Sequence, residues 1–183
     1  MSHRGTSPRI VSGRWKGRVL RVPARARPTS SRAREGLFDI LQETVPGSRV
    51  LDLFAGSGAV GLEALSRGAT RVSFVESDSR AIESNLAALG AGPDEFELLR
   101  EDVRDAVATL TRRGERFDLV FADPPYGLKE ALSRPVAGLL AAGGRLVVQT
   151  DASAAPGEFP ALDLVERRAY GRNVFWFYEP RKA

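Results

Sequence analysis

From Arg49 to Thr150 short apolar runs alternate with longer amphipathic stretches, and this alternation constrains the fold more than any other feature of the chain. RVLDLF (49–54), RVSFVE (71–76), FELLR (96–100), DLVFA (118–122) and GRLVVQT (144–150) read as strands. Residues 58–67, 79–89, 103–112 and 129–140 read as the intervening helices. Strands separated by helices pair in parallel, with helices on both faces of the sheet. Beyond Thr150 the pattern changes: LDLVERRAY (162–170), the turn GRN (171–173) and VFWFYEP (174–180) predict a closing antiparallel hairpin. The expected fold is therefore α/β, a mostly parallel seven-stranded sheet with an antiparallel end. Ligands of such sheets sit at the carboxyl ends of the strands, where strand order reverses.

The front of the chain is different in kind. Residues 1–8 read as disordered, and RIVSGRWKGRVLRVP (9–23) as a β-hairpin with Trp15 projecting from its turn. ARARPTSS connects it to a helix capped by Ser30 or Ser31 and running to about Gln42, with Ala33, Leu37, Ile40 and Leu41 on its apolar face. Ten lysines and arginines precede the first acid, Glu35; the chain carries +4 overall, so the remainder carries −6. A basic block of this kind favours polyanions through counterion release. Arg9, Arg14, Trp15, Lys16, Arg18 and Arg21 are the candidates for nucleic-acid contact. A merely solvated tail is the alternative, since arginine is abundant throughout this chain. The reading divides the chain into a basic arm, 1–31, and an α/β domain, 32–183, with no second globular domain.

Composition removes several chemistries. There is no cysteine, and the single histidine, His3, lies in the front arm, which argues against a Ser-His-Asp triad, a thiolate site or a His-ligated zinc. No metal site is expected. The N-terminus is charged early and lacks an apolar centre, so a secretory signal is not expected, nor is a membrane span, and the cytoplasm is the expected location. Chemistry must then run on carboxylates, hydroxyls, backbone groups and a bound cofactor.

DLFAGSGAVG places Gly56-x-Gly58-x-x-Gly61 between a strand and a helix, where glycines let the backbone turn tightly and a ligand approach closely. Glu76 ends the next strand, positioned to accept hydrogen bonds from ribose hydroxyls. Asp52, within the strand before the turn, suits a cationic ligand better than a pyrophosphate, and no histidine or Ser-Tyr-Lys set serves hydride transfer. S-adenosylmethionine is accordingly favoured over NAD. Asp102, with the Val103 amide beside it, is placed to receive an adenine amino group, and is equally natural as a helix N-cap. The tetrapeptide Asp123-Pro124-Pro125-Tyr126 ends the fourth strand. It is either a rigid strand-terminating turn or a grip for a flat ring bearing an amine. In the second reading the Asp123 carboxylate and Pro124 carbonyl accept the amine's N–H groups, proline holds that carbonyl in place, and Tyr126 stacks on the base.

Asp-Pro-Pro-Tyr resembles the (Asp/Asn)-Pro-Pro-aromatic signature of the amino-methyltransferases, which implies a Rossmann-like class I methyltransferase fold. With RIVSGRWKGRVLRVP, RPTSSRAREGLFDIL and VLDLFAGSGAVGLEALSRGA in order, the chain resembles, from about residue 9 to 179, the bacterial small-subunit ribosomal RNA guanine-N2 methyltransferases, which act on the 16S guanine called 966. The resemblance implies S-adenosylmethionine contacts at Asp52, Phe54, Ala55, Gly56, Ser57, Gly58, Glu76, Asp102 and Val103, with Thr29 and Arg34 reaching the methionine carboxylate. It implies catalysis at Asp123, Pro124, Pro125 and Tyr126, and a monomer working on 16S rRNA in the 30S subunit, with ribosomal proteins as possible neighbours. A DNA adenine-N6 methyltransferase uses the same tetrapeptide but needs a DNA-reading module, for which no segment is large enough. A noncatalytic RNA-binding assembly factor would not need the Gly turn, Glu76 and Asp123 together.

Overall fold

The computed structural model describes residues 7–23, 29–124 and 135–181. One seven-stranded sheet runs through it. Its strands are β1 (Arg49–Leu53), β2 (Arg71–Val75), β3 (Phe96–Leu99), β4 (Phe117–Ala122), β5 (Leu140–Asp151), β6 (Leu162–Tyr170) and β7 (Asn173–Pro180). The order is β3-β2-β1-β4-β5-β7-β6. The first five strands pair in parallel, and β7 pairs antiparallel with both β5 and β6. This is the mostly parallel sheet with an antiparallel end expected from the alternation and the closing hairpin, and it is the Rossmann-like class I methyltransferase topology that the resemblance implies. The chain steps outward from β1 to β3 and returns to place β4 on the other flank of β1, so strand order reverses between β1 and β4.

Period-two alternation divides the strands between two cores. Val50, Val72, Phe74, Leu119, Phe121, Val147, Phe175 and Phe177 pack on one face. They meet α1 (Ser31–Ile40), α2 (Ala59–Ser66) and α3 (Arg80–Leu89) there. Leu51, Leu53, Val75, Val120, Leu146 and Val148 face the other side with α4 (Val103–Arg112). Ser30 caps α1 by accepting the Ala33 amide at 3.1 Å, and Asp102 caps α4 by accepting the Arg104 amide at 2.9 Å. The first half of the helix expected over 129–140, residues 129–134, falls outside the described residues. Residues 135–137 are helical, but Leu140 already belongs to β5, which starts earlier than expected because Phe117 pairs with Leu140 across a register shift.

The front arm is a short antiparallel hairpin, bridged at Arg9 and Val19. The Ile10 amide donates to the Arg18 carbonyl at 3.0 Å, the Leu20 amide to the Pro8 carbonyl at 2.8 Å and the Gly17 amide to the Ile10 carbonyl at 2.8 Å. Between these cross-limb bonds, the amides near the tip go to α2. Val11 and Ser12 amides donate to the Glu63 carboxylate at 2.8 and 2.9 Å, the Arg14 amide to the Ser66 carbonyl at 2.9 Å, and the Trp15 amide to Ser66 Oγ at 3.0 Å. Gly13, at φ 80°, permits this approach: a Cβ there would lie 1.8 Å from the Ser66 carbonyl oxygen. Ile10, Trp15 and Leu20 thereby join the same core as α1 and α2. Trp15 does not project. Its ring is buried, with the Arg14 guanidinium 4.0 Å from the ring centroid. No helix among the described residues is long and apolar enough to cross a membrane.

Candidate active site

At the carboxyl ends of β1 and β4 a cleft is lined by Val22, Thr29, Asp52, Phe54, Ala55, Gly56, Ser57, Ala59, Val60, Phe121 and Asp123. The turn after β1 builds one wall. Phe54 takes φ 60°, the one non-glycine residue in the left-handed region among those described, and Gly56 and Gly58 follow at 57° and 76°. Such a conformation costs about 1–3 kcal/mol at a bulky residue and is held only by its surroundings. Here the Ala55 amide donates to the Val75 carbonyl at 3.1 Å and the Gly56 amide to Glu76 Oε2 at 2.8 Å. The other Glu76 oxygen accepts the Asp78 amide at 3.1 Å and the Ser77 hydroxyl at 3.3 Å, at the half-buried end of β2.

Two carboxylates share the cleft. Asp52 is buried, with Oδ2 accepting the Gly61 amide of α2 at 2.9 Å. Burial pushes its carboxyl up to about 7; the Gly61 bond opposes this, and the charges of Asp123 and Glu76 add to it. Asp123 leaves the tip of β4, and burial raises its carboxyl to about 6. Acids this close to ionisation at neutral pH, with no cation among the described residues to neutralise them, form a cradle for a positively charged ligand. The turn adds a close-approach surface, since a Cβ built on Gly56 would meet nothing nearer than 4.0 Å.

A side-chain chain absent from the sequence reading holds Asp123. Gln149 of β5 donates from Nε2 to Asp123 Oδ2 at 3.2 Å and to Asn173 Oδ1 at 3.4 Å, and its Oε1 accepts the Thr29 hydroxyl at 2.9 Å. The only sequence signal for Gln149 is a polar residue on the same strand face as Val147, which otherwise meets the apolar core.

Of the cofactor candidates, Asp52, Phe54, Ala55, Gly56, Ser57 and Thr29 meet at the cleft, Glu76 buttresses its turn, and Gly58 is the N-cap residue of α2. Asp102 is exposed and serves as the α4 cap, with Val103 buried beneath it. Arg34 is not among the residues lining the cleft. It is fully buried, donating to the Arg9 and Thr29 carbonyls and pairing with Glu63 at 3.4 Å. Its guanidinium thus anchors the arm to α2 and to the cleft residue Thr29. Pro124 is half-buried beside Asp123; Pro125 and Tyr126 lie outside the described residues. Arg9, Arg14, Lys16, Arg18 and Arg21 are all exposed. Arg14 pairs with Glu95 at 2.6 Å and Arg18 donates to the Ala88 carbonyl at 2.6 Å.

The strand order with its closing antiparallel hairpin defines the class, a Rossmann-like class I methyltransferase fold, and the cleft lies at the carboxyl ends of β1 and β4. The chain belongs to the family described as Conserved hypothetical protein 95, whose model matches residues 8–179. It is 41% identical over 131 residues to Ribosomal RNA small subunit methyltransferase D of Escherichia coli K12, covering 68% of this chain and 64% of that relative, so it spans about 64% of that curated relative's length. Among solved structures it resembles "Putative methyltransferase yhhF" of Escherichia coli, with TM-score 0.83 and 32% identity over 96% of this chain and 98% of that one. A hypothetical protein of Thermus thermophilus superposes with TM-score 0.80 and 38% identity over 93% and 98%. The methyltransferase-like SMU.776, complexed with SAH, shares the fold at TM-score 0.66 and 16% identity over 80% and 49%.

Proposed function

We propose that the protein is an S-adenosylmethionine-dependent methyltransferase acting on the exocyclic N2 amine of a guanine, the one called 966, in 16S rRNA of the small ribosomal subunit. The observation that carries this reading is Asp123 at the tip of β4, in one cleft with Asp52 and the glycine-rich turn. The printed name of the Escherichia coli relative supports the substrate class.

The donor group fits the residues present. Asp52 and Asp123 offer negative charge to its ammonium and sulfonium, Glu76 stands at the end of β2 for ribose hydroxyls, and the Gly56–Gly58 backbone allows close approach. When bound, S-adenosylmethionine supplies an electrophilic methyl. The chain's own residues prepare the acceptor. A guanine amine is a poor nucleophile because its lone pair is delocalised into the ring. Ionised Asp123 accepts one N–H and the Pro124 carbonyl the other, which favours a pyramidal nitrogen with its lone pair directed at the methyl. Gln149 fixes the Asp123 carboxylate through Oδ2, leaving Oδ1 for the amine. The proton shed by the methylated nitrogen passes to Asp123 or to water. Positioning and electrostatics account for most of the acceleration. A substrate inside the ribosome implies a cytoplasmic protein, and the exposed cations of the arm are the RNA-facing groups.

The test is incubation with labelled S-adenosylmethionine and unmodified small subunits, followed by digestion and mass spectrometry. N2-methylguanine is the expected product. Methyl transfer to duplex DNA adenine alone would replace the substrate assignment, and cofactor binding without any transfer would leave an assembly factor.

A further inference from the structure

A second groove lies beside the cleft, between the start of α1 and the β6–β7 turn. Ser30, Arg32, Tyr170, Arg172 and Asn173 line it. It abuts the cleft at two points: Ser30 follows Thr29, and Asn173 shares Gln149 with Asp123. Arg32 and Arg172 come from opposite ends of the chain, are both exposed, and have no acid or carbonyl partner among the described residues. That distinguishes them from Arg14, Arg67 and Arg145, each paired with a glutamate. Tyr170 is half-buried. Its ring lies against α1 at Gly36, where a Cβ would come within 2.3 Å of it, and 6.0 Å from the Phe175 ring centroid. The groove therefore presents two unneutralised guanidinium groups and a backed aromatic ring next to the acid that faces the amine.

We infer that this groove is a substrate-strand subsite: Arg32 and Arg172 hold backbone phosphates of the RNA flanking the target nucleotide, and Tyr170 packs on a neighbouring base or ribose. The inference rests on the methyltransferase reading for its purpose, though not for its measurement. A nucleotide turned out of its helix leaves its two flanking phosphates displaced and in need of fixing. Arginine forks match phosphate oxygens, and an aromatic face accepts any base. The basic arm supplies further cations to the RNA, whereas this groove sets the register of the strand at the reacting centre.

The test is the double variant Arg32→Ala/Arg172→Ala, with Arg112→Ala on α4, across the sheet, as the control. Two exposed arginines can be removed without disturbing the core. Binding of a short fluorescent single-stranded RNA is measured by anisotropy across a salt series. Two phosphate contacts predict that the slope of log affinity against log salt falls by about 1.4. Affinity near physiological salt falls at least about tenfold. With small subunits as substrate, KM rises while kcat and S-adenosylmethionine affinity stay within about twofold. Arg112→Ala changes none of these. An unchanged slope and affinity in the double variant overturn the subsite. Should the wild type transfer no methyl to any RNA, the proposed function fails, yet the salt series still decides whether the groove holds RNA phosphate.

Discussion

The buried carboxylate of Asp52 makes the ligand-free protein pay for its own binding site, and the size of that cost can be measured. Asp52 ionises near 7 in the folded chain against 3.8 in the unfolded one. The folded state therefore holds the proton more tightly, and stability declines as pH rises from about 4 to 7 and then levels off. Each pH unit within that window costs about 1.4 kcal/mol, so raising pH from 5 to 8 removes about 2–3 kcal/mol through this one group. Asp52→Asn keeps an oxygen for the Gly61 amide and removes the charge. Its melting temperature should exceed the wild type's, with a gap that widens between pH 5 and pH 8 by roughly 5–10 °C for a chain of this size. Comparing variant with wild type at each pH cancels the contributions of the other acids. The same substitution should weaken S-adenosylmethionine binding at pH 8 by at least about tenfold, because the cradle loses the charge that a cationic ligand neutralises. Thermal unfolding at four pH values and titration calorimetry check both. A gap that does not vary with pH would show that Asp52 is not a strained, ionisable group, and the cation-cradle argument would go with it.

Asp123→Ala should lower kcat by about 10²–10³ while leaving cofactor affinity within a few-fold. In the wild type kcat/KM should fall tenfold per unit as pH drops through about 6, since a carboxyl raised by burial loses its acceptor role on protonation; a flat acid limb would refute the role. Gln149→Leu removes the donor that favours the charged form of Asp123, so kcat should fall about tenfold and the acid limb should move up by about one pH unit. An unmoved limb would make Gln149 merely structural. Glu63→Gln turns one carboxylate oxygen into a donor facing the arm's amides and leaves Arg34 uncompensated, at a cost of about 3–5 kcal/mol. Limited trypsin digestion should then cut at Arg14 or Lys16 far faster than in the wild type, whereas unchanged protection would refute Glu63 as the anchor.

How much of this was legible in the sequence depends on the range of the interaction concerned. Period-two strands, the caps at Ser30 and Asp102, and the glycines after β1 are local patterns, and the topology follows because strands separated by helices have few ways to pair. Asp52, Glu76 and Asp123 were legible for the same reason: each ends or nearly ends a strand, and strand ends converge. Gln149, Asn173 and the groove arginines were not, because their meaning lies in partners far away in the chain. Arg34 was assigned to the methionine carboxylate by the resemblance alone, and nothing local in the sequence showed that it pairs with a buried acid. That acid, Glu63, looks in sequence like an ordinary helical glutamate. Trp15 was expected to project because it sits in the hairpin's turn, while its burial depends on α2.

These misplacements share a cause that bears on mechanism. The front segment is tied to the helix that follows the glycine-rich turn, through Glu63 and Ser66, and to the turn itself through Asn85. Asn85 of α3 donates to the Arg21 and Ser57 carbonyls at 2.9 Å each and accepts the Arg21 amide at 2.8 Å. One amide group thus holds the end of the basic arm and the glycine-rich loop in fixed relation. A displacement of Arg21 by RNA would be felt at Ser57, and ordering of Ser57 by cofactor would be felt at Arg21. By linkage, any such effect must be equal in both directions. The arm is therefore not an independent tether that happens to be basic. Its cations stand on a backbone that shares the Asn85 side chain with the glycine-rich turn, so on the proposed function an RNA held by the arm and a cofactor held by the turn would bear on the same few residues.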